Sequence, residues 1–485
     1  MTTLRSTSRP RVLGGMLAFV LQGAGRLASK GRPLDQQPFL ILGAGLTGLS
    51  AAAHFGEGAR VLESLNQVGG KARTRERQGA RFDITGHWLH LRDPYMLEWV
   101  PKLPGLTLQK HDRKARIFSH GVYTLYPFQA NTFGLPPTVA RECLQGFVDA
   151  RLHDLESSDA PRTRPEPETF EDWILQKFGA GIAEHFMVPY NQKIWTTHPR
   201  ELSAGWCDRY IPVPKVEDVI AGAVGASREA LGYNAHFLYP PSGRGIQELA
   251  DAVRRSTDAP IELGVEITAI DLENKRVQRA DGVWTHYQTL LTSLPLPVAI
   301  DLAARVAPLP EAVAEARSRL QSTFVAHLDV LAKGSNHDQK GPWDGAGQPH
   351  WTYFPEARFP FYRVGSFSAV EPNMTDGATR NFYVEFAHRG GFDPMDHFDA
   401  VATGLTEAGL IDGPDSILEC WGESIAHAYV LNDDHHGAAR DLLVGWLESQ
   451  SVLSAGRYGN WEYSAMEDAL LHGKRAAAWA RERLG

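Results

Sequence analysis

Pro38-Phe-Leu-Ile-Leu42 runs into Gly43-Ala-Gly-Leu-Thr-Gly48, then into the Ala-rich stretch Leu49 to Phe55, then into Arg60-Val-Leu-Glu63. The apolar run before the glycines suits a strand buried on both faces. Gly43, Gly45 and Gly48 form a G-x-G-x-x-G turn, whose missing side chains let backbone N–H groups approach a pyrophosphate. Leu46 and Thr47 lie at the start of the helix that follows, where the peptide dipoles favour negative charge. Glu63 closes the second strand about 20 residues on, at the reach of a ribose hydroxyl, with Ser64 beside it. Strand, glycine turn, helix and strand together predict an α/β chain that opens with a Rossmann-type domain.

The chain has 485 residues, enough for two to four domains at roughly 100–200 residues each. A hydrophobic content of 43% and a charged content of 22% exclude a wholly disordered or fibrous protein. The formal net charge of −8 argues against a general nucleic-acid binder, which needs a basic field. Three widely spaced cysteines, Cys143, Cys207 and Cys420, offer neither a disulfide framework nor a Cys-zinc site, and no metal is expected. The chain therefore reads as intracellular, in the cytoplasm. No run reaches the ~20 apolar residues of a membrane span. Val12 to Gly25 is apolar and flanked by Arg5, Arg9, Arg11, Arg26, Lys30 and Arg32. It is read as part of a poorly ordered extension rather than as an export signal.

Further along, Pro137 to Gly232 carries apolar residues at helical spacing, and Pro260 to Pro297 returns to strands. From Phe324 to Trp421 aromatic and β-branched residues alternate with polar ones, as in an antiparallel sheet with one solvated face. Asp468 to Leu484 reads as an amphipathic helix.

Val68-Gly-Gly-Lys-Ala-Arg-Thr74 sets Gly69 and Gly70 before Lys71 and Arg73. It resembles the second diphosphate-contacting segment of the flavoprotein group that includes amine oxidases, protoporphyrinogen oxidases, phytoene desaturases and UDP-galactopyranose mutases. The resemblance implies FAD. Phe82-Asp-Ile-Thr-Gly-His87 is then similar to that group's Gly-Gly-His turn beside the isoalloxazine, with Thr85 in place of the first glycine, then Gly86 and His87. It also implies that Ile267 gives its backbone to the adenine and that Arg457, Met466 and Glu467 lie near the cofactor.

Segments between these resemble eukaryotic-type UDP-galactopyranose mutases. They are Tyr126-Pro-Phe-Gln-Ala-Asn131, Pro189-Tyr-Asn-Gln-Lys-Ile-Trp195, Gly205-Trp-Cys-Asp-Arg209, Gly232 to Pro240, Trp351-Thr-Tyr-Phe-Pro355, Phe359-Pro-Phe-Tyr-Arg363 and Gly456 to Tyr463. A base needs a stacking surface and an amide, which Tyr126, Gln129, Asn191 and Trp195 can supply. A diphosphate needs guanidinium forks and phenols, here Arg363, Tyr353, Tyr429 and Tyr463. By the same resemblance Arg209, Asn234, Trp351 and His87 face the sugar and flavin. The family pattern lacks its proline after Tyr429.

The implied reaction interconverts UDP-galactopyranose and UDP-galactofuranose with no net redox change. It requires reduced FAD, whose N5 is held to form a flavin–sugar adduct, and NADPH or NADH as reductant. Arg363 and Arg209 would stabilise the leaving diphosphate, and His87 would tune the flavin or relay a proton. The implied layout is an N-terminal extension over 1–37, with FAD-binding parts at 38–115, 232–300 and 446–485. Sheet parts fall at 116–134 and 301–445 and a helical substrate domain at 135–231. Three other readings share the cofactor turn: an FAD-dependent amine oxidase or desaturase, a binding protein without turnover, and a mutase for a different nucleotide sugar. Peroxide release with an amine would mark the first, and UDP binding without isomerisation the second.

Overall fold

The structure is a computed structural model that describes residues 36–156, 166–226, 235–334 and 347–485. The apolar run Val12 to Gly25 and the expected ligand Asn234 lie outside these residues, as does the side chain of Arg209.

The α/β reading holds. Strand Gln37–Leu42 lies in parallel between Ala59–Leu62 and Trp284–Thr292, and Val452–Ser454 pairs in parallel with the latter. Antiparallel strands Ile267–Asp271 and Arg276–Arg279 extend one side, and Ile261–Glu262 closes the other, giving seven strands. The continuous apolar run of the first strand is explained by burial on both faces. Phe39 and Ile41 join one cluster with Leu49, Ala52, Leu249 and Val253. Leu40 and Leu42 join another with Leu290, Leu296, Leu443 and Leu447. The first helix, Leu46–Phe55, and the last, Met466–Leu484, pack closely because a Cβ on Gly473 would meet the Thr47 carbonyl oxygen at 2.3 Å.

A second seven-stranded sheet runs in the order Ile417–Val430, Ser322–Lys333, Thr379–His388, Arg363–Ser366, Trp351–Tyr353, Ala115–Ser119 and Val122–Leu125. All its pairs are antiparallel except Trp351–Tyr353 with Ala115–Ser119. Helices Pro137–Glu156, Phe170–Ile182 and Val188–Trp195 form a mostly helical region around Phe147, Trp173, Phe178 and Trp195. Among the described residues no helix is long and apolar enough to cross a membrane. None of their His, Cys, Asp and Glu side chains gather in threes in a way that could hold a metal.

Asp83 locks the cofactor-side hairpin Thr74–Asp83 to the chain leading into helix Gln247–Arg255. Its carboxylate accepts from Thr74 Oγ1 at 2.6 Å, Tyr239 O–H at 2.7 Å and Ile246 N–H at 3.1 Å. Burial raises the Asp83 carboxyl to about 7, with those three donors opposing. A carboxyl raised on folding contributes stability that is full below its unfolded pKa and is lost as pH climbs through about 7. Asp83→Ala orphans three buried donors and should lower the unfolding free energy by about 3 kcal/mol in urea titration. The loss should be larger in mild acid than above pH ~8.

Candidate active site

The glycine turn is built by close approach. Gly43 N–H donates to the Leu62 carbonyl at 2.8 Å, and Gly69 N–H to the Ala44 carbonyl at 2.8 Å. Gly45 bridges Gly69, and a Cβ on Gly70 would meet Gly45 Cα at 3.1 Å. The two glycine segments named from the sequence are thus side by side, with Gly456 against Thr47 and Met466 packed on the same core. Glu63 is buried, and its carboxylate accepts from Ala44 N–H at 2.7 Å and Leu65 N–H at 2.9 Å. Ser64 is exposed at its shoulder.

Three cations follow. Arg73 Nη1 holds the Gly70 carbonyl at 2.7 Å, and Arg75 pairs with Glu423. Lys71 makes no hydrogen bond or ion pair among the described residues. Burial brings its ammonium down to about 8, with Arg73 and Arg75 adding to the effect and Glu63 opposing it. A half-buried, positively loaded strip beside a helix N-terminus and open glycines is a cradle for a dinucleotide diphosphate, so these residues fit FAD.

Two further residues expected on the cofactor side make contacts within the protein. Ile267 begins a hairpin opposite Arg279, whereas the backbone beside Glu63 is that of Val265, whose N–H donates to the Glu63 carbonyl at 2.8 Å. Glu467 is engaged by the N–H groups of Arg92 and Asp93, at 2.5 and 2.8 Å.

Thr85 adopts φ 62°, the left-handed conformation that β-branched residues avoid. Thr85 thus holds a backbone that a glycine would adopt without strain. Thr85→Gly should leave FAD binding intact and raise the melting temperature slightly. Relief of roughly 1–2 kcal/mol of strain outweighs the entropy glycine adds to the unfolded chain. Beyond it, a Cβ on Gly86 would meet the Tyr383 hydroxyl at 2.4 Å. Burial lowers the His87 imidazole to about 4, helped by Arg457 and Arg363, so it is neutral at pH 7. Its Nδ1 and the indole N–H of Trp351 are buried without hydrogen-bond partners. Trp351 stacks on Trp88 at 5.8 Å. Orphaned buried polar atoms of this kind mark a place where a ligand or water completes the bonding.

The residues expected on the substrate side lie together. Arg363 and Glu385 face each other across neighbouring strands and form a two-pronged pair through Nε and Nη2, the latter at 2.8 Å. Burial opposes the Arg363 charge, but Glu385, Tyr429 and Tyr383 outweigh it and hold the guanidinium well above its ordinary range. Arg457 lies 4.9 Å from the Tyr463 ring and 5.5 Å from that of Tyr429, and those rings stack at 6.2 Å. Tyr353 meets Tyr126 at 5.4 Å and Tyr190 edge-on at 5.4 Å. Burial pushes Tyr429 up to about 12 and Tyr126 and Tyr190 higher still, so all three stay protonated donors. Arg363, Tyr126, Tyr190 and Tyr429 keep some accessible surface while burial acts strongly on their charge, as the walls of an internal cleft do.

Gln129, Asn191 and Trp195 are buried at one end of this cleft. Gln129 donates to the Pro212 carbonyl at 3.2 Å, Asn191 to that of Met187 at 2.7 Å, and Trp195 to Asn191 at 3.2 Å. Asn191 and Trp195 are thus tied to each other, and Gln129 keeps its amide oxygen uncommitted. Sequence reasoning missed Glu385, Tyr190, Tyr362 and Arg113, whose guanidinium lies over Tyr126 at 4.5 Å. Tyr190 and Tyr362 stood inside motifs already quoted; Glu385 and Arg113 had no local signal.

The model of the family of flavin-containing amine oxidoreductases matches residues 46–479. The chain belongs to that family. A crystal structure of reduced UDP-galactopyranose mutase shares its fold with a TM-score of 0.80, at 21% identity, covering 92% of this chain and 95% of that one. A putrescine oxidase with putrescine bound superposes with a TM-score of 0.61, at 16% identity over 92% of this chain and 99% of that one. Among curated proteins, the dTDP-fucopyranose mutase of Escherichia coli is 25% identical over 184 residues, 36% of this chain. This chain spans less than half, 45%, of that relative. The family brings a flavin, and the cradle described above is where this chain's residues would hold it.

Proposed function

We propose that this flavoprotein is a nucleotide-sugar mutase that interconverts pyranose and furanose forms, with UDP-galactose as first substrate. The observation that carries the reading is the Arg363–Glu385 pair, ringed by the phenols of Tyr190, Tyr353 and Tyr429, in the cleft that also holds His87. Glu385 fixes the Arg363 guanidinium through Nε and Nη2 in the strong two-pronged arrangement and leaves Nη1 to address a diphosphate. The phenols of Tyr190 and Tyr429, raised by burial, remain uncharged donors, so they add no repulsion to an anionic leaving group. Reduced FAD would supply an electron-rich ring nitrogen able to act as nucleophile towards the anomeric carbon. The protein's share is to hold the diphosphate while its bond to the sugar is broken and remade, and to keep water away. Neutral His87 can accept or donate a hydrogen bond at Nδ1 without bringing charge to the ring. NADPH or NADH would provide the electrons.

An amine oxidase would have no use for a guanidinium clamp. The fucose mutase relative favours one second reading, the same chemistry on a dTDP sugar. The test is to incubate dithionite-reduced, FAD-loaded protein with UDP-galactofuranose and, separately, with dTDP-fucofuranose, and to resolve pyranose from furanose. Appearance of the pyranose supports the reading and identifies the nucleotide. Failure of both, with peroxide released from an amine in air, would replace it with an oxidase.

A further inference from the structure

Lys193 has no part in the roles described so far. It sits in helix Val188–Trp195, one turn from Tyr190, and its Nζ donates to the carbonyls of Phe354 at 2.6 Å and Glu356 at 3.1 Å. Those carbonyls flank Pro355 in the turn joining Trp351–Tyr353 to Arg363–Ser366, between the two substrate-side residues Tyr353 and Arg363. The far side of that turn is anchored by Phe354, Phe359 and Phe361, all buried in the sheet's own core. Its near side is held to the helix by Lys193. Tyr190, on that helix, faces Tyr353 at 5.4 Å and Tyr362 at 6.3 Å. A buried ammonium is costly unless its donors are satisfied, and here they are satisfied mainly by neutral carbonyls.

We propose that Lys193 is a positioning residue that latches the helical wall of the cleft to its sheet wall and so sets the spacing between Tyr190 and Tyr353 for a nucleoside diphosphate. The inference rests on the nucleotide-sugar reading. The latch is also sensitive to proton concentration. Burial brings the amine down to about 7, with Glu356 opposing. Glu356 is the charged group acting on it, and is itself held by Arg358 at 3.3 Å and the His120 N–H at 3.0 Å. The His185 ring, 5.5 Å from that of His120, is paired in turn with Glu142 at 2.9 Å. A charged amine binds carbonyls more strongly than a neutral one, so the latch tightens below neutrality and loosens above it.

The test is the affinity of the FAD-loaded protein for UDP alone, by calorimetry at about pH 6 and about pH 8.5. Wild type should bind more weakly at the higher pH. Lys193→Met should bind about tenfold more weakly at the lower pH, the equivalent of one lost charge-assisted hydrogen bond, and should lack the wild-type fall across neutrality beyond UDP's own ionisation. If Lys193→Met does not fold, Lys193→Arg, charged at both pH values, should lose the same fall. A Lys193→Met protein that binds UDP within about twofold of wild type at both pH values overturns the latch and leaves the function untouched. So does a Lys193→Arg protein that keeps the fall. Wild type that binds neither UDP nor dTDP overturns both.

Discussion

Arg363→Ala should give a folded, yellow protein with almost no mutase turnover. Removing one electrostatic partner of a developing anion typically costs 10²–10³ in kcat, and Arg363 supplies the two-pronged pair's only cation, so a loss of about 10³ is expected. The variant also strands Glu385, which is 1% exposed. An unpaired buried charge costs roughly 3–5 kcal/mol, so stability will fall as well. That fall could be mistaken for the cause of inactivity. The double variant Arg363→Ala/Glu385→Ala separates the two: removing both charges should recover most of the stability and none of the activity. Flavin absorbance, urea unfolding and product formation are measured on both proteins. Turnover near wild type in Arg363→Ala, with FAD bound, removes this residue from the diphosphate site and the proposed function with it. Arg363→Lys should fall between, since an ammonium can neutralise the anion but cannot pair with Glu385 and the ligand in one plane.

How much of this was legible beforehand divides along sequence distance. Gly43, Gly45, Gly48 and Glu63 act within one strand–helix–strand unit, so their spacing carries the geometry. The pattern after Phe324 announced the antiparallel pairing, because period-two alternation is a local property. The expected solvated face is missing from the central strands Ser322–Lys333 and Thr379–His388, which other elements bury on both faces. Glu385 was illegible. It lies opposite Arg363 only because Thr379–His388 pairs with Arg363–Ser366 in one register, and a slip of one residue would turn it to the other face. Asn191 is a different case: its place was readable, but its bonds to Met187 and Trp195 depend on how its helix turns. That Val265 N–H bonds the Glu63 carbonyl, two residues before Ile267 opens its hairpin, is a detail of a strand start, where sequence reading is weakest. Thr85 was visible as a departure, but that the backbone keeps φ 62° there became clear only from the fold.

Two glycine substitutions should empty the cofactor cradle by different routes, and the contrast tests its geometry. A Cβ on Gly48 would lie 1.9 Å from the Gly43 carbonyl oxygen and 3.1 Å from Ile41 Cγ2. Neither backbone can yield, so in Gly48→Ala the first helix must lift from the first strand. That overpacking should cost about 1–3 kcal/mol even without cofactor, and FAD affinity should fall by several orders of magnitude as the N–H groups at the helix start leave their places. Gly45 differs. Its φ is −71°, which any residue accepts, and the nearest atom to a new Cβ is Gly70 Cα at an ordinary 3.9 Å. Gly45→Ala should therefore leave the apoprotein's unfolding curve within about 0.5 kcal/mol of wild type. Yet the methyl group occupies the space between the two glycine segments through which a pyrophosphate must approach the backbone, so the purified protein should be colourless and resist reconstitution. The measurements are visible absorbance after incubation with excess FAD and urea unfolding of each apoprotein. A Gly45→Ala protein that takes up FAD as wild type does would place the diphosphate elsewhere, whatever becomes of Gly48→Ala.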